Sequence, residues 1–296
     1  MPSAAIRRSG GDRAFDAFNY LVMILLSLTT LYPFFFLISS SLSALDVTLG
    51  SFSLLPRQFT LENYAKVLRN PAIGTGYVNT ILRTVIGTSL SLLATFCLAW
   101  PLSKRSFPLR NLWTGLIVFT MFFSGGMIPT YLLVRQLGLI DTIWALVLPE
   151  LVTAYNFVIV RNYMQTIPGS MEESAKMDGA NDITILFRVI LPVCKPIIAT
   201  ISLWVAVWHW NAWFDSMIYM TKASGQVVQL VMRRIVLEGS DQMTQMMAEM
   251  QRQGLVIAPE GLKAATIMVT TLPILCIYPF VQKYFVKGVM MGSLKG

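Results

Sequence analysis

Residues 167–192 read IPGSMEESAKMDGANDITILFRVILP, and the fold turns on them. They lie between two apolar blocks, 141–164 and 196–220, yet Glu172, Glu173, Lys176, Asp178, Asp182 and Arg188 make them too polar to cross a bilayer. Ser170 and Glu173 stand at capping-box spacing, with the hydroxyl directed to the third amide of the helix and the carboxylate back to the cap amide. A short helix is therefore expected to open at Ser170, and Gly179 supplies the left-handed residue that stops it. A second start follows at Asp182, with Ile183, Leu186, Phe187 and Ile190 at helical spacing on one face. Pro192 and Pro196 close that helix before the next block. The expected object is a pair of short helices joined at a glycine corner, outside the membrane. Such a pair is a handle by which a partner could turn the attached spans, or else a connector lying on the lipid surface.

Outward from this loop, the chain is built for lipid. Of its 296 residues, 55% are hydrophobic and only 13% charged, with a mean hydropathy of +0.61. A soluble domain has about 25% charged residues, so too few remain here to cover a water-facing surface. The apolar residues gather in blocks of about 20, the length that crosses a hydrocarbon core. The pattern predicts an all-α polytopic membrane protein of six helices spanning 17–41, 77–102, 112–134, 141–164, 196–220 and 264–285, forming one transmembrane domain over 1–296. Residues 165–195 form a cytoplasmic loop and 221–263 an outer loop. The first block is too long for the apolar core of a cleavable leader and carries the aromatic run Tyr32-Pro33-Phe34-Phe35-Phe36, so it reads as a retained helix.

The net charge of +8 does not point to nucleic acid, because no basic stripe lies on a soluble face. Arg7, Arg8, Arg13, Lys104, Arg105, Arg110, Lys283, Lys287 and Lys295 flank the spans instead. The positive-inside rule then places both termini in the cytoplasm. Cys97, Cys194 and Cys276 have neither metal-ligand nor disulfide spacing and read as small buried hydrophobes. His209 is the single histidine, which leaves no material for a His-based metal site or most catalytic triads.

The fifth block crowds Trp204, Trp208, His209, Trp210, Asn211, Trp213, Phe214 and Asp215 together. Trp204, Trp208, Asn211 and Asp215 recur at helical intervals and share one face if the helix is continuous. Indoles stack on the C–H faces of sugars, while amides and carboxylates take the hydroxyls. Polar groups at membrane depth face an interior or a wet cavity, so this face is a candidate substrate path. The plainer alternative is an aromatic belt at the headgroups, to which Trp213, Phe214 and Tyr219 are also suited. Glu150 follows Pro149 in the fourth block, placed either for the path or for a buried pairing. Gly125-Gly126 is either a hinge or a helix-packing contact, and Arg83 is expected to snorkel to the interface. Met232, Met243, Met246, Met247 and Met250 give the outer loop an adaptable surface for a partner, or a cover for the bundle.

Glu173-Ser174-Ala175, then three residues, Gly179, nine residues and Val189-Ile190-Leu191-Pro192, resembles the EAA loop of the membrane subunits of binding-protein-dependent ABC importers. Ser174 and Val189 depart from the usual alanine and isoleucine, both by small changes. Gly125-Gly126-Met127-Ile128-Pro129, Leu137-Gly138-Leu139 and Trp144-Ala145-Leu146 are similar to the carbohydrate branch, like the maltose importer's smaller permease. Trp210-Asn211-Ala212-Trp213-Phe214-Asp215 and the tail from Gln282 to Met290 look like the oligo- and polysaccharide subgroup, which includes a permease of the alginate importer.

The resemblance implies that Glu172, Glu173, Ser174, Ala175, Asp178, Gly179, Leu191 and Pro192 couple the chain to an ATPase. It further implies a second, non-identical permease, two ATPase subunits holding ATP and Mg, an extracytoplasmic solute-binding protein and a sugar cargo in the bacterial inner membrane. The chain lacks the G-x-x-x-x-G-K-[ST] loop that cradles phosphates, so it is not expected to be an enzyme or to bind a cofactor. Two other readings remain at this point: an importer subunit for an amino acid or peptide, and a membrane-embedded enzyme.

Overall fold

The computed structural model describes residues 10–44, 55–238 and 259–293. Arg7, Arg8, Lys295 and most of the Met-rich outer loop, including Met243, Met246, Met247 and Met250, lie outside them. The described residues are helical, with no strand and a single isolated bridge between Ser43 and Phe59. They fall into two compact units.

The first unit holds α1 (Gly10–Ser41), most of α2 (Glu62–Arg69) and the first part of the long C-terminal helix Pro259–Ser293. Side chains of α1 such as Phe15, Leu21, Ile24 and Phe35 are exposed along the length of the helix. Its hydroxyls are tied to its own backbone: Ser27 and Thr29 donate to the carbonyls of Met23 and Leu25. Those hydroxyls are thereby satisfied on an apolar surface. The end of α1 is fastened by Asn63 of α2, whose amide donates to the carbonyls of Ser41 and Ser43 at 3.1 and 3.0 Å.

The second unit is organised on α3 (Pro71–Ser103). Asn70 caps it by accepting from the Ala72 N–H, and Pro71 takes the first turn, where no amide is needed. Following it are α4 (Arg110–Phe122), α5 (Met127–Gln136), α6 (Ile143–Val147), α7 (Ala154–Met164), α8 (Gly169–Met177), α9 (Asp182–Val193), α10 (Lys195–Asn211), α11 (Phe214–Tyr219), α12 (Val228–Arg233) and, from Thr270 on, the remainder of α13 (Pro259–Ser293). Helix α3 packs against α7, α10 and α12. Its later residues Phe96, Ala99 and Trp100 share a core with Phe157 and Val160 of α7, Ile185, Leu186 and Ile190 of α9, and Ile197, Ile201 and Val205 of α10.

Among the described residues three helices are long and apolar enough to cross a membrane, Ala14–Ser41, Pro71–Ser103 and Glu260–Ile277, and the number rises to five if two bent pairs each count as one span. The third expected block is one such pair, bent by 113° between α4 and α5. Gly126, at φ +85, leaves the helical region and breaks the chain between α4 and α5, and a Cβ there would meet nothing within 4 Å among the described residues. The fourth block is two helices, since Pro149 cannot continue α6 and Thr153 caps α7 by accepting from the Asn156 N–H. The fifth ends at Asn211 and resumes at Phe214, after an extended Ala212. Of the cysteines only Cys194 is buried; Cys97 and Cys276 are exposed on their helices.

Helices α3 and α10 meet tightly at Gly87, where a Cβ would stand 2.3 Å from Nε2 of His209. Gly87→Ala is expected to destabilise the purified chain by about 1–3 kcal/mol in thermal melts, the usual cost of overpacking. Gly115→Ala, where nothing lies within 4 Å, is expected to match or slightly exceed the parent.

Candidate functional site

Leu203, Trp204, Val207, Trp208 and Asn211 recur on one face of α10 and line a cavity of about 990 Å³. Asp215 lines it too, but from α11: the helix ends at Asn211, so the shared helical face expected through Asp215 is broken, and the extended Ala212 swings the next turn back to the cavity. Glu150 enters from the turn after Pro149, and Ile274 of α13 completes the wall. Glu150 forms no ion pair among the described residues. Trp208 is 43% exposed; the Trp204 ring lies 5.8 Å from that of Tyr155. Asn211 donates to the Val207 carbonyl at 2.8 Å, leaving its amide oxygen free to accept.

Behind this wall sits Arg83, 0% exposed, where the sequence suggested snorkelling. Its Nη2 donates to Oδ2 of Asp215 and its Nη1 to Oδ1 at 3.1 Å. Nη1 also donates to the Ala212 carbonyl at 3.2 Å, and Nε to Nδ1 of His209 at 3.3 Å. The guanidinium carbon lies 5.4 Å from the Trp208 ring centroid. A cation twelve residues inside α3 is about 18 Å along the axis from its start, so a carboxylate on the neighbouring helix is the nearer way to satisfy it. The signal was legible in principle: an arginine and an aspartate in two different apolar blocks call for each other. Of the suggested belt residues, Tyr219 is buried and stacks on Tyr131 at 6.2 Å, and Trp213 lies under Arg233, whose guanidinium is 3.9 Å from its centroid.

The second candidate site is the corner made by α8 and α9. Pro168 occupies the cap position of α8 and the helix opens at Gly169, so Ser170 lies inside the first turn and the expected capping box does not form. Glu173, Ser174 and Asp178 face outward, exposed, with Met177. Glu172 faces inward instead, its Oε1 held by Lys104 at 2.7 Å and Lys176 at 2.8 Å. Lys104 in turn lies over Trp100, 4.1 Å from the ring centroid. The sequence reading missed Lys104, which is 68 residues from its partner.

Gly179 adopts φ +79, and the N–H groups of Gly179 and Ala180 donate to the carbonyls of Lys176 and Ala175. That is the paired closure of a Schellman stop, with Ala175 packed on the core. Asn181 caps α9 by accepting from the Thr184 N–H at 2.8 Å. Residues Ile185–Ile190 wind as a π-helix, which shifts the apolar face. Ile185, Leu186 and Ile190 are buried, whereas Ile183 and Phe187, expected with Leu186 and Ile190, are exposed. Leu191 packs on the core, Pro192 is exposed, and α9 meets α10 at 84° beside Cys194.

No cluster of His, Cys, Asp and Glu that could hold a metal occurs among the described residues. No family model matches the chain. It is 41% identical over 286 residues to Protein LplC of Bacillus subtilis (strain 168), covering 96% of each chain. It is 39% identical over 288 residues to the polygalacturonan/rhamnogalacturonan transport system permease protein YtcP of the same organism, covering 96% of this chain and 99% of that one. Among solved structures, a chain of a bacterial ABC transporter involved in the import of the acidic polysaccharide alginate matches with TM-score 0.87 and 32% identity, over 96% of this chain and 100% of that chain.

Two expectations follow. Asp215→Asn strands the buried Arg83 and should cost about 3–5 kcal/mol in thermal melts, with the double variant Asp215→Asn, Arg83→Met recovering a large part. At the corner, burial alone would raise the Glu172 carboxyl, but the hydrogen bonds and charges of Lys104 and Lys176 outweigh it and hold it below its ordinary 4.5. The contribution of these contacts is full above that ordinary value and disappears as pH falls through the lower, folded one. Amide exchange across 169–177 should accelerate over that acid window, and Glu172→Gln should flatten the dependence.

Proposed function

Because the chain belongs to the permease subunits of sugar ABC transporters, we propose that its α10–α11 wall lines the route of an oligo- or polysaccharide, and that its α8–α9 corner is the handle by which ATP hydrolysis moves that wall. The observation that carries the reading is mechanical. One helix, α10, joins the corner to the cavity: its first residue follows the 84° bend at Cys194, and its last turn presents Trp208 and Asn211. Seventeen helical residues make a rod about 26 Å long. A torque on the corner is therefore delivered to the cavity wall without passing through a loop.

The full assembly in this reading contains a second, non-identical permease, two ATPase subunits carrying ATP and Mg, and an extracytoplasmic solute-binding protein. The exposed face of Glu173, Ser174, Met177 and Asp178 docks on the ATPase, Gly179 fixes the elbow, and Leu191 and Pro192 hand the motion to α10. Six crossings follow if the 113° pair α4–α5, the broken α6–α7 block and α10–α11 each traverse the inner membrane once, with both termini cytoplasmic. Alternating access then consists of rocking α10 and its cavity wall between the two sides. A sugar cargo is supported over an amino acid or peptide by relatives such as the polygalacturonan/rhamnogalacturonan permease and by the indole and amide lining.

In the reconstituted importer, Trp208→Ala is expected to lower sugar uptake about tenfold, as losing one aromatic platform implies, and to lower it more than ATP hydrolysis. Gly179→Val is expected to uncouple hydrolysis from uptake. A cysteine placed at Glu173 should cross-link to the ATPase subunit; its failure to do so at every exposed position of the corner would remove the handle from the account.

A further inference from the structure

Torque applied to α8 crosses two bends before it reaches α10: the left-handed Gly179, at φ +79, and the 84° turn at Cys194. No residue of α8 is buried, and Ala175 is its partly buried contact with the core, so apolar packing gives this helix little hold. A cation spans the corner instead. Lys104, the residue that caps the end of α3, places its Nζ 2.7 Å from Oε1 of Glu172 on α8 and 3.6 Å from Oδ1 of Asp182 on α9. Lys176 reaches the same two oxygens at 2.8 and 3.9 Å, but from within α8. The Lys104 and Glu172 side chains are only 20% and 19% exposed, and the ammonium lies 4.1 Å from the Trp100 ring centroid. A partly buried pair of this kind is screened less than a surface one.

Resting on the reading of the corner as the ATP-driven handle, we propose that Lys104 is a positioning residue for coupling, which clamps both arms of the corner to the end of α3. Helix α3 is unbroken from there to Arg83, about 30 Å away along its axis. Arg83 is tied in turn to His209 of α10 and to Asp215 on the cavity wall. The two long helices pack along each other and are joined by polar ties at both ends, one at the corner and one at the cavity. Corner, α3 and α10 therefore form a closed frame. Displacement of α8 pulls on α3 directly and reaches the wall by two routes, through α10 and through the Arg83–Asp215 pair. With the clamp removed, α8 pivots at Gly179 against the core contacts of α9, and the same stroke of the ATPase moves the wall less.

The test reads the response of the cavity to nucleotide in the complete reconstituted importer. A reporter cysteine replaces Val207, which lines the cavity and is 38% exposed, in a chain carrying Cys97→Ser and Cys276→Ser. Its alkylation by a water-soluble maleimide is timed with and without a non-hydrolysable ATP analogue, and ATP hydrolysis is measured alongside. The parent is expected to change its alkylation rate by about fivefold or more on binding the analogue, the lower end of ordinary coupling between sites. Lys104→Met should lose most of that response while hydrolysis continues, and Lys104→Arg should restore it. Glu172→Gln should lose as much, and the double variant Lys104→Met, Glu172→Gln no more than either, as expected of two groups that act through one contact. Glu172→Gln carries the test if Lys104→Met does not assemble. A full response in the single variants that assemble, or losses that add in the double variant, overturns the clamp. Gly179→Val tests the handle separately: if it too keeps the full response, or the parent shows none, the handle reading fails and the clamp with it.

Discussion

Arg83 and Asp215 set the terms for everything around them. A guanidinium buried in an apolar bundle is tolerated only with a counter-charge and its remaining donors satisfied. Both conditions are met here by a single stretch of chain: the Asp215 carboxylate, the Ala212 carbonyl and the His209 ring. The pair need not add net stability, because replacing such pairs with apolar groups is often neutral. Its effect is selective. Any packing of α3 against α10 and α11 that separates the two charges is penalised, and Gly87 provides the space for the imidazole that completes the arrangement. The register of the helices that bound the cavity is thereby fixed.

The second constraint is continuity. Irregular backbone within a membrane is accommodated only where it is buried in protein or lines a cavity, and two of the breaks in this chain border the cavity itself. The turn after Pro149 delivers Glu150, and the extended Ala212 delivers Asp215. Between the corner and that second break, α10 runs uninterrupted. The unbroken part of the element is thus its helix, and the irregular parts are those that border the cavity.

Much of this was legible in the residue pattern. The spacing of Trp204, Trp208 and Asn211 placed them on one face because a helix does run through all three, and Gly179 marked the elbow because only a left-handed residue closes a Schellman stop. The failures share a physical origin, which is competition that a local window does not contain. Ser170 and Glu173 had capping-box spacing, but Pro168 is the extended residue that caps the helix, two positions earlier. Ile183 and Phe187 had the right periodicity for an α-helix, whereas π-winding over Ile185–Ile190 rotated the buried face away from them. Arg83 and Lys104 depended on partners 132 and 68 residues distant. Periodicity within a single block carries no information about such pairings.

The aromatic residues of the fifth block show how the same composition divides by register. Trp204 and Trp208 fall on the cavity face of α10, while Trp210 turns inward, with its ring 6.2 Å from that of Tyr77. Past the break, Trp213 is covered by Arg233 and Tyr219 stacks on Tyr131. Had α10 continued unbroken through Phe214, Asp215 would have followed Asn211 on the cavity face as a free carboxylate, and Arg83 would have lacked the Ala212 carbonyl that the break releases. The break thus makes Asp215 half of a structural pair with Arg83.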